Sequence, residues 1–425
     1  MKARPGVMFA FTVFVFVLLS GNSIGQIKAD FGVLDARKWN FEENRLPLTG
    51  RWIFFENQLL SSSECSYEKG IYSYFPSIWN DSRSDGSGQG YATYLLNVLV
   101  PDSTGVFSLE VPQLYSSGKL WVNGKLLVTI GAVGTSKKET RPQWISKTVS
   151  FTDPGDTLRI VLQIANFQHD KGGMKSPILL GTPKRIQQHW SWEIGSNMAE
   201  IIFVFLEGVA FFIIYLMRRD KNVILFFSLL CLTWSVRAAF SNLYPVSYFF
   251  PDVNWRLQVK IEYLTLYGGI IWSMLFLNLL FKNISKPIIA YLLVCINVFF
   301  VVFTLFTSPL VFSRWVNVYL TVAGITVAYG GIIVIQALMY EQVGAWFLLF
   351  SLLLGAAVFG YDIAAYESTA GYNLILLHIA YVVMFMLVTV GLLLHLDILK
   401  TKFGHSDILT YNDMVGKDDG SKKKK

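Results

Sequence analysis

Ionisable side chains interrupt stretches of the chain that are largely apolar. Glu207, Arg237, Glu262, Asp362 and His378 each sit inside a long hydrophobic run. A charge in such a run is costly, so it pairs, faces a watery pocket or forms part of a switch. Counting about 1.5 Å of rise per helical residue places Arg237, Glu262, Asp362 and His378 at similar depth, in the outer third of their helices. Glu207 falls near the middle of its own run. Arg237 can therefore meet Glu262 or Asp362 if their helices are neighbours. Two readings stay open: a polar switch or ion site that couples the outside to a helical bundle, and a satisfied ion pair that fixes helix order.

A second set of candidates precedes residue 190. Trp52, Trp79, Trp121 and Trp144 offer faces that stack on sugar rings, and equally the bulk that fills a sandwich core. With Arg141, Asn166 and His169, which sit in or near loop segments, Trp79 and Trp144 form the ligand-binding candidates. His169, in "NFQHDKGG", equally fits a turn residue that bonds its own loop. No nucleophile–base constellation stands out, and "NDSRSDGSGQG" (Asn80–Gly90) lacks the alternating ligands of a calcium loop. No catalytic residue, metal or cofactor is expected.

The elements that hold these residues fall into two kinds. Of 425 residues, 53% are hydrophobic and 15% charged. A soluble domain averages roughly 25% charged, so the chain is a membrane protein with one water-facing domain. The net charge of +7 is spread over the outer domain and the membrane-flanking loops, which gives no case for nucleic acid. Residues 26–190 read as all-β. Leu158, Ile160, Leu162 and Ile164 alternate with Arg159 and Gln163, the pattern of a half-buried strand. Asn123-Gly124 between two apolar runs predicts a tight hairpin, because both residues tolerate positive φ. Short strands at this spacing predict a β-sandwich. Its lone Cys65 excludes an internal disulfide, so the core must hold it together.

Seven apolar runs follow, at 196–217, 222–244, 256–281, 288–307, 316–338, 345–366 and 372–396. Each is near or above the roughly 20 residues that cross a bilayer as a helix. Residues 1–25 read as a signal peptide, with Lys2 and Arg4 before a short apolar run and Ser23 and Gly25 at cleavage spacing. An exported domain and seven spans place the C-terminus inside. Arg218, Arg219, Lys221, Lys282 and Lys286 lie in loops assigned inside, and Arg314 is the sole Lys or Arg in the loops assigned outside. A lysine for a retinal Schiff base is missing from the last span, and glycines such as Gly268-Gly269 and Gly330-Gly331 fit close helix packing better than the broken helices of a transporter.

In "LPLTGRWIFF" (Leu46–Phe55), "SSGKLWVNGKLLVTIGAVG" (Ser116–Gly134) and "IANFQHDKGGMKSPILLG" (Ile164–Gly181), followed directly by the helical region, the chain resembles the bacterial seven-transmembrane receptors with diverse intracellular signalling modules. The first two stretches are also similar to the noncatalytic sandwich of β-galactosidase-like glycosidases. The resemblance covers roughly residues 30–397. It implies an all-β jelly-roll sandwich outside, similar to carbohydrate-binding domains, then an all-α seven-helix transmembrane bundle in a bacterial inner membrane. It further implies a non-enzymatic receptor that senses a small molecule or carbohydrate.

In typical members the last helix leads into a kinase, cyclase or other output domain. Residues 397–425 carry no such motif, and their mix of Asp, Lys and Gly reads as a disordered tail. The expected partner is thus a separate kinase, cyclase or regulator, or a full-length relative in the membrane. Lys422–Lys425 would meet anionic lipid. The other class kept open is a membrane-anchored carbohydrate-binding or uptake accessory protein without signalling.

Overall fold

The computed structural model describes residues 27–65, 69–101, 105–152, 155–219, 221–367 and 373–396. The expected signal peptide and the tail lie outside the described residues.

Eleven strands build the first half: β1 (Val33–Asp35), β2 (Leu46–Pro47), β3 (Gly50–Glu56), β4 (Ile71–Phe75), β5 (Gly90–Leu99), β6 (Val106–Val111), β7 (Ser117–Val122), β8 (Lys125–Ile130), β9 (Lys147–Thr152), β10 (Thr157–Asn166) and β11 (Leu179–Gly181). A short helix, α1 (Trp79–Ser82), precedes β5. One sheet runs β4-β3-β5-β10-β7-β8, with β1 parallel to β5; the other runs β2-β11-β6-β9. The two form a sandwich. Asn123 and Gly124 join β7 to β8 at φ 46° and 81°, the positive-φ pair that the dipeptide predicts.

The alternating residues Leu158, Ile160, Leu162 and Ile164 of β10 are almost fully buried between the sheets. The strand's other face is covered as well, unlike a half-buried strand. Cys65 packs with Ile53, Phe55, Leu95 and Val161 outside the main core. Arg159 reaches the Cys65 carbonyl over 2.6 Å, and Gln163 the Leu60 carbonyl over 3.0 Å. The polar residues that mark an outward face thus bind a loop folded over it. Cys65 is a free, buried thiol, and burial pushes its pKa up to about 11.

The second half is helical: α2 (Pro183–Met217), α3 (Asn222–Ala239), α4 (Pro245–Phe249), α5 (Trp255–Leu280), α6 (Pro287–Phe306), α7 (Pro309–Arg314), α8 (Val316–Met339), α9 (Ala345–Glu367) and α10 (Leu374–His395). Six of these, α2, α3, α5, α6, α8 and α10, are long and apolar enough to cross a membrane; α9 contributes a shorter apolar stretch, Ala345–Val358. Neighbouring long helices pack in turn, and α10 returns to α2 to close the ring.

One residue joins the two halves. Thr182 separates β11 from α2, and its hydroxyl accepts the Arg185 N–H at 3.4 Å, with Pro183 at the first helical position. Because β11 pairs with β6, the first turns of α2 lie against β6. At 35 residues, α2 runs about 52 Å without a break. Its buried residues are Ile186, Glu193, Asn197, Glu200, Val204, Gly208 and Phe211. Their spacing of three, four or seven is one face of a helix, and its upper part is polar.

Candidate functional site

Starting at the sandwich, Glu110 on β6 is 5% exposed. Its Oε2 lies 3.1 Å from Nδ1 of His189 on α2, and Nε2 of the same ring lies 3.1 Å from Oε1 of Glu193, one turn further. Two carboxylates on one imidazole require both nitrogens to donate, so the ring bridges them as the cation. Arg45 adds a second positive group: burial pulls its pKa down, while Glu110 and Glu193 oppose that. The Glu110, His189 and Glu193 ligand atoms lie within 4.8 Å of one another. With both ring nitrogens already engaged and Arg45 beside them, the group is an ionic clasp between strand and helix.

Further along the same face, Oε2 of Glu200 lies 2.5 Å from Nδ1 of His378 on α10. Both side chains are 2% exposed. The other Glu200 oxygen accepts the Trp234 indole N–H at 3.0 Å, and Asn197 approaches His378 Nδ1 at 3.5 Å. Asn197 Oδ1 and His378 Nε2 are buried without a hydrogen-bond partner. Asn197, Glu200, Trp234, Arg237 and Ser241 line a cavity of about 40 Å³. Its volume and polar lining suit one water molecule. Deeper still, Glu207 accepts from the Thr389 hydroxyl, again on α10.

Arg237 extends this cavity toward the second contact between the halves. Its guanidinium donates to the main-chain carbonyl of Glu262 at 2.9 Å. The Glu262 carboxylate faces the Tyr244 hydroxyl at 3.4 Å. The Tyr244 ring packs on Trp144 of the sandwich, with centroids 4.8 Å apart, and Trp255 meets Trp144 edge-on at 5.8 Å. Trp144 in turn contacts His169, which stacks on Tyr115. Burial pushes Tyr115 up, and the Glu262 charge pushes it the same way. At the rim Asp170 donates its N–H to Ser313 at 3.1 Å and pairs with Arg314 at 3.3 Å.

The residues singled out from sequence therefore divide. Trp144 and His169 lie at the seam between sandwich and helices, and Arg237 with Glu262 lies beneath it. Glu207 and His378 sit on the α2–α10 face, apart from Glu262. The side chain of Asp362 lies outside the described residues. Trp79 is a core residue, 1% exposed, with its indole N–H on the Tyr94 hydroxyl at 2.8 Å. Asn166 is fully buried and ties loops together, donating to the carbonyls of Gly88, His169 and Lys171. Arg141 is exposed in a main-chain bridge with Ala132.

Sequence reasoning missed Glu110, His189, Glu193, Asn197 and Glu200. The last four recur at the helical period across the start of the first apolar run, and that periodicity was the available signal.

A sandwich seated on a closed ring of helices, six of them of membrane length, defines a multi-pass membrane protein. Residues 199–396 match the family described as 7TM diverse intracellular signalling. The family is one of membrane signalling receptors. No curated protein matches the chain. Among solved structures, a Faecalibacterium prausnitzii β-glucuronidase is similar at 14% identity and TM-score 0.27, over 33% of this chain and 32% of its own. A GH2 β-galacturonidase from Eisenbergiella tayi bound to glycerol is similar at 15% identity and TM-score 0.25, over 33% and 24%. The chain thus spans a third or less of these structures, and such likeness says nothing of what it binds.

Proposed function

We propose that the protein is a receptor whose sandwich takes up a ligand outside the cell and whose helices carry the bound state to a signalling partner inside. The observation that carries this reading is α2. It is pinned to β6 through Glu110, His189 and Glu193, and hydrogen-bonded to α10 through Glu200 and His378. A displacement of the sandwich must therefore act on the last helix. The loops rich in Arg and Lys support an orientation with the sandwich outside. The family resemblance supports placement in a bacterial inner membrane.

The ligand in this reading is a carbohydrate. Support comes from Phe31, Tyr72 and Tyr74, which are 54%, 46% and 68% exposed on and beside edge strand β4. Phe31 stands in a left-handed turn conformation at φ 48°, meets Tyr72 edge-on and carries the Arg51 guanidinium over its ring at 4.4 Å. A bulky residue held at positive φ yet exposed is a costly way to display a ring. Sugar rings stack on such faces while their hydroxyls reach flanking polar groups such as Asp30 and Arg51.

The test is hydrogen exchange on the full chain in nanodiscs, with and without members of a glycan panel. The reading expects slowed exchange around residues 71–75 and altered exchange at 338–345 and 391–396, at the far end of the helices. A change confined to the sandwich would make the protein an anchored carbohydrate binder without signalling. No change with any glycan would overturn the carbohydrate assignment.

A further inference from the structure

The end of the bundle away from the sandwich holds a cavity of about 440 Å³. It opens where the α2–α3, α5–α6 and α8–α9 connections meet the end of α10. Its polar lining is Lys221, Asn222, Lys282, Asn283, Gln342 and His395, and no carboxylate lines it among the described residues. The volume falls in the roughly 300–1,000 Å³ range of small-molecule sites.

The walls are fixed by ordinary hydrogen bonding. His395 holds the Val343 carbonyl through Nδ1 at 3.1 Å and meets Phe281 edge-on, with centroids 5.3 Å apart. Lys221 precedes α3, and the start of this 18-residue helix has no side-chain cap. Two lysines and an uncapped helix start thus face one space, and each favours an anion.

The source of that anion follows from what surrounds the cavity. At this end of the helices Met217, Met339 and Ile288 are 79%, 76% and 83% exposed. Such side chains belong against hydrocarbon in a chain that crosses a membrane, so acyl chains lie beside the cavity. We infer that it binds a phosphoryl group, supplied by the headgroup of an acidic phospholipid whose tails run along these helices. Basic pockets between helix ends are a recurrent way of holding such headgroups. The site is independent of whatever the sandwich binds.

The experiment uses the full chain in nanodiscs of phosphatidylcholine alone or of phosphatidylcholine with phosphatidylglycerol. The readouts are the thermal midpoint and the lipid retained in native mass spectrometry. The wild-type protein should retain phosphatidylglycerol preferentially and be stabilised by it. Lys282→Gln should weaken retention about fivefold, the equivalent of about 1 kcal/mol per basic residue at a membrane surface. Lys286→Gln removes a neighbouring exposed charge that does not line the cavity, and it should leave retention unchanged. Equal loss in both variants would reduce the effect to general surface charge and overturn the site. A shift produced by inorganic phosphate but by no acidic lipid would overturn the lipid source. No preference for phosphatidylglycerol and no response to phosphate would overturn the proposal entirely.

Discussion

His378 Nδ1 lies 2.5 Å from Glu200 Oε2, although the two residues are 178 positions apart. The contact joins the first and last long helices and closes the ring with a polar bond between buried groups. Removing one member leaves the other desolvated without its partner. Each of Glu200→Gln and His378→Leu should therefore lower stability by roughly 3 kcal/mol. The double variant should be less unstable than the sum of the two, with a coupling of about 1–3 kcal/mol in a double-mutant cycle. Denaturant unfolding of the four proteins in one detergent measures this; additive effects would show that the bond is energetically silent.

The clasp at the top of α2 makes a separate prediction. Glu110→Ala removes one of two carboxylates from His189 and leaves Arg45 with less compensation. Loss of about 2–4 kcal/mol is expected, as for a broken buried pair. Hydrogen exchange at 183–193 should rise with it, while exchange near residues 71–75, on the far edge of the other sheet, stays the same. Uniform acceleration across the whole sandwich would mean that Glu110 supports the fold and not the junction.

Burial pulls the pKa of the His169 ring down to about 4, with a hydrogen bond from the ring to the Lys171 main-chain carbonyl opposing and the Lys171 charge adding to the shift. An unfolded chain takes up the same proton near 6.5. Between these values the unfolded state binds more protons, so stability rises with pH through this window. The contribution is complete above about 6.5 and is lost as pH falls toward about 4, by roughly 3 kcal/mol in all. Tryptophan-monitored unfolding of the full chain should show this slope, and His169→Gln should flatten it. A variant whose slope matches wild type would assign the pH dependence to other groups.

Gly344 sits at φ +84°, and a Cβ there would stand 2.2 Å from the Gly391 carbonyl oxygen on α10. Gly344→Ala adds backbone strain to a main-chain clash, and more than about 2 kcal/mol of stability should be lost. Gly391→Ala meets Gly344 at 3.1 Å and has side chains that can give, so it should cost less. Thermal midpoints of the two variants settle the order.

Much of the architecture can be read from residue patterns. Asn123-Gly124 marks its hairpin, the β10 alternation marks the core strand, and hydropathy separates the helices. These signals are local and periodic. Seam partners are legible only in part, because Arg237 and Glu262 stand out as charges in apolar runs while Trp144 and Tyr244 look like any core aromatics. Trp79 and Asn166 show the opposite limit. A residue type suited to ligand contact is here consumed by a core hydrogen bond and by loop carbonyls. Glu193 and Glu200 escape notice because they fall where polar surface gives way to membrane. Only a helix that continues through that boundary without interruption turns them inward.

That continuity has a geometric consequence. Each residue added to or removed from α2 above Glu193 would rotate everything beyond it by about 100°. The sandwich and the ring are thus keyed to each other in azimuth as well as in height. Because the helix is unbroken where the chain enters the bundle, a twist applied at β6 would reach α10 as a twist.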